Sequence, residues 1–256
     1  MSADPRTARE LYDQSSQAWA RTEPSSVSDF TARPAVIEMC RPFADKSVLD
    51  LGCGEGYCAR ILRRGGAARV LGIDVSAGMI DAAQREEARE PLGIEYRCGD
   101  AGQLRELESG ATDLVVAVFL FNYLTSDAMA DCMKEVARVL RPGGRFVFAV
   151  PHPALPWMRK PERPFFFELS SSSSDYFATR NQRFAGKIWK RDGTALDVQL
   201  VHKTLEDYFH ALEGAGFTSM PRVRELRVTP EISAVDPQFF APLVGTPLHL
   251  ALSIER

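Results

Sequence analysis

The apolar positions of this chain form short runs between stretches with helical spacing. Between residues 47 and 150 the two patterns alternate, the signature of a parallel sheet with crossover helices, and so of an α/β fold. Strands are predicted at Val48–Leu51, Arg69–Asp74 and Ile94–Cys98. The run Thr112–Phe121 is nearly all apolar, as a strand buried on both faces should be. A helix follows, with Ser126 as its expected N-cap and Met129, Met133, Val136 and Leu140 on one face. Arg141-Pro142-Gly143-Gly144 stops it, and its glycines read as turn residues rather than ligand contacts. The strand Arg145–Val150 comes next.

The flanks read differently. Residues 4–43 predict two helices broken at Pro24-Ser25-Ser26 and carrying Tyr12, Trp19 and Phe30. Residues 151–203 hold prolines 151, 153, 156, 161 and 164, the triplet Phe165-Phe166-Phe167 and a serine run, Ser170–Ser174, read as a loop. This stretch is too long for an ordinary connection and reads as an insertion, a pair of hairpins over the sheet's C-terminal edge. Trp189-Lys190-Arg191-Asp192-Gly193 is its turn. Thr204 and Asp207 form a capping box opening a helix that ends at Gly216, and Leu248–Ile254 alternates like a last strand. The expected organisation is a helical cap at 1–44, a core at 45–150, a lid at 151–203 and the rest of the core at 204–256, without an internal repeat.

Composition narrows the function classes. The chain has 256 residues, 45% of them hydrophobic, enough for one α/β domain with a small insert. A net charge of −3 gives no reason to expect a nucleic-acid partner, which usually needs a basic face. The five cysteines Cys40, Cys53, Cys58, Cys98 and Cys132 include no C-x-x-C pair, so neither disulfides nor a zinc site is expected. The start of the chain has no apolar run of the signal-peptide kind, and no run reaches the length of a membrane span. These features predict a cytoplasmic protein without a membrane partner.

The chemistry concentrates in Asp50-Leu51-Gly52-Cys53-Gly54-Glu55-Gly56. Glycine tolerates positive φ and lets a ligand touch bare backbone. A dinucleotide loop would need its third glycine at position 57, which is Tyr57, and a phosphate loop would need Lys followed by Ser or Thr. Acids at the head of the loop (Asp50) and inside it (Glu55) suit an amine-bearing ligand. Asp50 has a second reading as a cap on the neighbouring helix, and Cys53 and Cys58 read as packing rather than chemistry. Asp74 ends the next strand about 20 residues on, where such sheets place the acid that holds ribose hydroxyls. Asp100 follows the third strand. Three strand ends, each with an acid, make a nucleoside pocket.

The series D-L-G-C-G-E-G, G-I-D-V-S-A-G-M-I, C-G-D-A and L-R-P-G-G-R-F resembles the motifs of class I S-adenosylmethionine-dependent methyltransferases, strongly over residues 45–150 and weakly beyond. Within that family G-E-G-Y and P-L-G-I-E-Y are most similar to small-molecule enzymes such as the toxoflavin-synthase type. The resemblance implies a Rossmann-like, seven-stranded, mostly parallel sheet and S-adenosylmethionine as methyl donor. It further implies that Gly52, Cys53 and Gly54 cradle the methionine end, with Asp50 on the ammonium, directly or through water. Asp74 would take the ribose, Val75 and Met79 would flank the adenine, and Asp100 and the Ala101 N–H would meet its edge. Phe119 and Leu120 would close the cleft. The N-P-P-[YF] signature of DNA and protein-glutamine enzymes is absent; Phe121-Asn122-Tyr123-Leu124 stands there instead. The metal pattern of catechol-type enzymes is absent as well, so no metal is expected.

The acceptor side rests on position. His152 follows the fifth strand, at the edge where open α/β sheets bind ligands, and an imidazole there could take an acceptor proton. His202, just before the capped helix, is a second candidate; each has the alternative of a satisfied structural residue. His210 and His249 read as structural. Tyr12 could meet the sulfonium or the acceptor, or pack in the core. Trp19, Tyr123, Trp157 and the phenylalanine triplet could wall a flat pocket, or form the lid's own small core. The expected function is N- or O-methylation of a small, planar or heterocyclic molecule in natural-product biosynthesis, by a monomer or homodimer. The rivals are a non-catalytic S-adenosylmethionine-binding partner subunit and a nucleoside-cofactor oxidoreductase, the latter disfavoured by Tyr57.

Overall fold

The computed structural model describes residues 6–169 and 175–256; the serine-run loop and the first residues of the chain lie outside them. Two helices come first, α1 (Ala8–Trp19) and α2 (Val27–Cys40). The core alternates β1 (Ser47–Leu51), α3 (Tyr57–Arg64), β2 (Arg69–Asp74), α4 (Ala77–Arg89), β3 (Glu95–Cys98), β4 (Thr112–Val118), α5 (Ser126–Val139) and β5 (Leu140–Pro151). Then come α6 (Leu155–Met158), β6 (Phe165–Phe167), β7 (Arg183–Trp189), β8 (Ala195–Val201), α7 (Leu205–Gly214), β9 (Arg222–Leu226) and β10 (His249–Glu255).

The seven-stranded sheet has the order β3-β2-β1-β4-β5-β10-β9. Its first five strands are parallel, and β10 runs antiparallel to both β5 and β9. Period-two alternation assigns the two faces. Leu49, Leu51, Val115, Ala117, Phe146 and Phe148 pack under α5 and α7. Val48, Val70, Leu114, Val116 and Val147 pack against α2, α3 and α4. The antiparallel β10 starts where the parallel strands end, so His249 lies at the sheet's C-terminal edge, paired with Pro151 and Leu226.

Three local expectations change. The fourth strand stops at Val118, because Phe119 takes a left-handed conformation, φ 61°. A bulky residue there is uncommon and re-aims the chain. The cap of α5 is Thr125, whose hydroxyl accepts from Ala128 N; Ser126 is the first helical residue and donates to Asn181. Strand β5 begins at Leu140, opposite Thr112, and the Pro-Gly-Gly segment is an irregularity inside the ladder rather than a turn before it.

Within residues 151–203, β6, β7 and β8 form a separate antiparallel sheet in that order. Gly186 permits it: a Cβ there would lie 2.4 Å from the Phe167 ring. The inner face of this sheet packs with the N-terminal helices, in a cluster of Trp19, Val27, Phe165, Phe167, Ile188 and Val198.

Candidate active site

A cavity of about 510 Å³ lies between the C-terminal edge of the large sheet, the N-terminal helices and the small sheet. Its floor is the glycine loop. The N–H groups of Gly52 and Cys53 donate to Ile73 O, at 2.8 and 3.1 Å, tying the loop to β2. Gly54 N donates to Asp74 Oδ2 at 2.9 Å, and Ser76 N to Asp74 Oδ1 at 2.9 Å. Gly54 has φ 55°, and a Cβ built on it meets nothing within 4 Å. The loop therefore presents bare backbone to open space.

This end of the cavity is built for a cation. Asp50 is 1% exposed, and its Oδ2 has no hydrogen-bond partner. Burial, and then the neighbouring Asp74, push its carboxyl up to about 7. Burial also holds Asp74 above its usual range. An ammonium group would satisfy the orphaned oxygen and reverse both shifts. Glu55, expected with Asp50 to serve an amine-bearing ligand, is instead neutralised: Arg60 donates to it at 2.7 Å and Arg21 pairs with it at 3.3 Å.

All the residues expected around the donor line this one cavity: Asp50, Gly52, Cys53, Gly54, Asp74, Val75, Met79, Asp100, Ala101, Phe119 and Leu120. Tyr12, Trp19 and Tyr123 line it too. The Tyr12 and Tyr123 hydroxyls are 2.6 Å apart. Burial raises Tyr12 well above the usual phenol range and Tyr123 to about 12, so both stay protonated and neither is a base at neutral pH.

Three expected acceptor-side residues lie outside the cavity lining. His152 follows Pro151, which does line it, and alternation turns the next side chain away. Its Nε2 donates to Glu225 at 2.9 Å and its Nδ1 accepts from Ala154 N at 3.2 Å. His202 is fully buried; its Nε2 donates to Tyr176 O at 2.9 Å. Trp157 packs edge-on to it at 4.7 Å, beside Tyr176 and Phe184. Both belong to the small sheet's own core.

Among the lining residues that the sequence reading missed are Arg33 and His249. Arg33, on α2, donates from Nη1 to Asp29 Oδ1 at 2.9 Å and lies 5.4 Å over the Phe119 ring. No motif surrounds it. His249, expected to be a structural strand residue, lines the cavity beside Phe119. Its only signal was its place at the start of the last strand. Among the described residues no group of three or more metal-ligand side chains exists, and no helix is long and apolar enough to cross a membrane.

A parallel sheet in this order, with acids at three strand ends around a glycine loop, defines a nucleoside-cofactor domain whose cofactor is cationic. Residues 48–144 match the family described as methyltransferase domain. The ubiquinone biosynthesis O-methyltransferase of Coxiella burnetii is 31% identical over 113 residues, 44% of this chain and 47% of that protein. The N-demethylindolmycin N-methyltransferase of Streptomyces griseus is 28% identical over 193 residues, 75% of this chain and 77% of that one. The crystal structure of an S-adenosylmethionine-dependent methyltransferase from Mesorhizobium loti superposes with a TM-score of 0.64 at 25% identity, covering 87% of this chain and 96% of that one. Residues 48–144 are thus a methyltransferase domain, and the sheet around them has the fold of class I S-adenosylmethionine-dependent methyltransferases, whose cofactor is S-adenosylmethionine. The chain spans about half the length of the Coxiella relative.

The residues present fit that cofactor. Asp50 would hold the ammonium, Asp74 has acceptor capacity for the ribose, and Val75, Met79 and Asp100 line the cavity for the adenine; Arg33, ion-paired with Asp29, lines it as well.

Proposed function

We propose that the chain transfers the methyl group of S-adenosylmethionine to a small, planar or heterocyclic acceptor, at nitrogen or oxygen, in natural-product biosynthesis. One observation carries this reading: the cofactor end and an aromatic-walled chamber are one continuous cavity. Tyr12, Trp19, Phe119, Tyr123, Phe165 and Phe167 wall the chamber. Flat apolar surfaces favour a flat partner by stacking and edge contacts. The names of the Coxiella and Streptomyces relatives, both small-molecule methyltransferases, support the same class.

The donor brings an electrophilic methyl, so the protein chiefly aligns the acceptor and keeps water out. In this reading the described residues of 1–44 and 151–203 form the cover. Phe165, Phe167, Ile188 and Val198 press on the cavity from the small sheet, and Tyr12 and Trp19 from the first helix. The five cysteines are all free, which fits a reducing, cytoplasmic setting. The test is incubation with methyl-labelled S-adenosylmethionine and a panel of phenols and N–H heterocycles, read by mass spectrometry. The expected result is a singly methylated product. Donor binding with transfer to none of the panel would overturn the small-acceptor reading.

A further inference from the structure

The donor accounts for the acidic end of the cavity; the wall beside Phe119 holds a nitrogen that reading leaves unused. His249 is 2% exposed and opens β10 at the cavity wall. Its Nδ1 lies 3.0 Å from Thr31 Oγ1, and that hydroxyl lies 2.9 Å from Val27 O, to which it donates. A hydroxyl has one proton to give. With it given to the carbonyl, Thr31 accepts from the ring. The ring proton is therefore on Nδ1, and Nε2 carries a lone pair. Nε2 has no hydrogen-bond partner among the described residues. The imidazole is clamped, with Phe165 stacked at 5.7 Å and Phe119 tilted at 5.0 Å. Burial, and then the charge of Arg33, hold its pKa down to about 3, so the ring is neutral at ordinary pH.

Resting on the methyl-transfer reading, we propose that His249 Nε2 accepts a hydrogen bond from the acceptor's nucleophilic N–H or O–H and takes that proton as the methyl moves, so that the acceptor is a phenol or N–H heterocycle rather than a donor-free nucleophile. The lone pair of the acceptor nitrogen or oxygen forms the bond to the methyl carbon. The carbon–sulfur bond breaks with its electron pair going to sulfur, and the proton passes to Nε2. Positive charge leaves sulfur and appears on the imidazole, so the cavity's total charge is unchanged. The weak basicity of this histidine is no obstacle, because the acceptor proton becomes strongly acidic once the new bond forms. Before that, the hydrogen bond aims the nucleophile's lone pair.

Nitrogen-15 histidine spectra of the S-adenosylhomocysteine-loaded protein test the geometry without requiring turnover. His249 should show the Nδ1–H tautomer from pH 5 to 8, and phenol should shift Nε2 while anisole does not. A proton on Nε2, or no response to phenol, would overturn the proposal. With an acceptor the wild type methylates, His249→Phe should lower kcat about 10²-fold or more with S-adenosylhomocysteine affinity within about twofold. His249→Gln, which keeps an acceptor atom, should recover part of the loss. Full activity in His249→Phe would also overturn the proposal. If the wild type binds donor but methylates nothing in the panel, the small-acceptor reading fails, and the spectra still decide the role of Nε2.

Discussion

Asp50→Asn separates charge from shape at the head of the glycine loop. In the native protein the Asp50 carboxyl is raised from 3.8 to about 7. A raised native pKa means that the folded state favours the protonated form. Stability therefore falls as pH rises from about 4 to about 7, and the full penalty persists above that. At about 1.4 kcal/mol per pKa unit the penalty is on the order of 4 kcal/mol. The amide is neutral but must itself be buried, so ligand-free Asp50→Asn should exceed wild type by roughly 1–3 kcal/mol at pH 8 and lose that advantage near pH 4. Donor binding reverses the preference. An ammonium beside Oδ2 favours the carboxylate, so below pH 7 binding must expel a proton. Wild-type affinity should weaken about tenfold per pH unit below 7. Calorimetry of S-adenosylhomocysteine binding at pH 6, in two buffers of different ionisation enthalpy, reads the proton directly. Wild type should release close to one and Asp50→Asn none, with roughly 1–3 kcal/mol lower affinity for the variant at pH 8. Equal proton release by the two proteins would refute the argument.

Three further outcomes follow from the same cavity. Asp74→Ala should weaken donor binding by about 2–4 kcal/mol, since charge-assisted bonds to the ribose and the anchors of Gly54 N and Ser76 N disappear together; unchanged calorimetric affinity in a folded variant would refute the assignment. Gly54→Val should abolish donor binding while circular dichroism shows the fold retained, because its side chain projects into open cavity at φ 55° with roughly 1–3 kcal/mol of strain; normal S-adenosylhomocysteine binding would show that the loop is not the cradle. His152→Ala should leave kcat within about twofold and cost under about 1 kcal/mol of stability, because its partner Glu225 is 66% exposed; a kcat loss of 10²-fold would return His152 to the chemistry.

The donor half was legible because its signals are local. A strand, a glycine turn and an acid at the next strand's end lie close in sequence, and the sheet's geometry brings them together without help from distant segments. The acceptor half depends on long-range pairing. Whether His152 or His249 faces the cavity depends on side-chain parity at two strand ends, and that parity follows from the register Pro151↔His249 between residues far apart in the chain. The aromatic triplet and Trp157 share a composition, yet the small sheet turns Phe165 and Phe167 inward and packs Trp157 against His202. Arg33 carried no motif at all. The misplaced cap of α5 has a simpler cause: Thr125 and Ser126 can both cap, and the choice falls to the one whose hydroxyl reaches Ala128 N.

A crystal structure of the protein with S-adenosylhomocysteine tests the central claim most directly. The account predicts the amino group against Asp50 Oδ2, the ribose on Asp74, the adenine between Val75 and Met79, and the sulfur directed into the chamber bounded by Tyr12, Phe165 and His249. A cofactor bound outside this cavity, or one whose sulfur is walled off from that chamber, would contradict it.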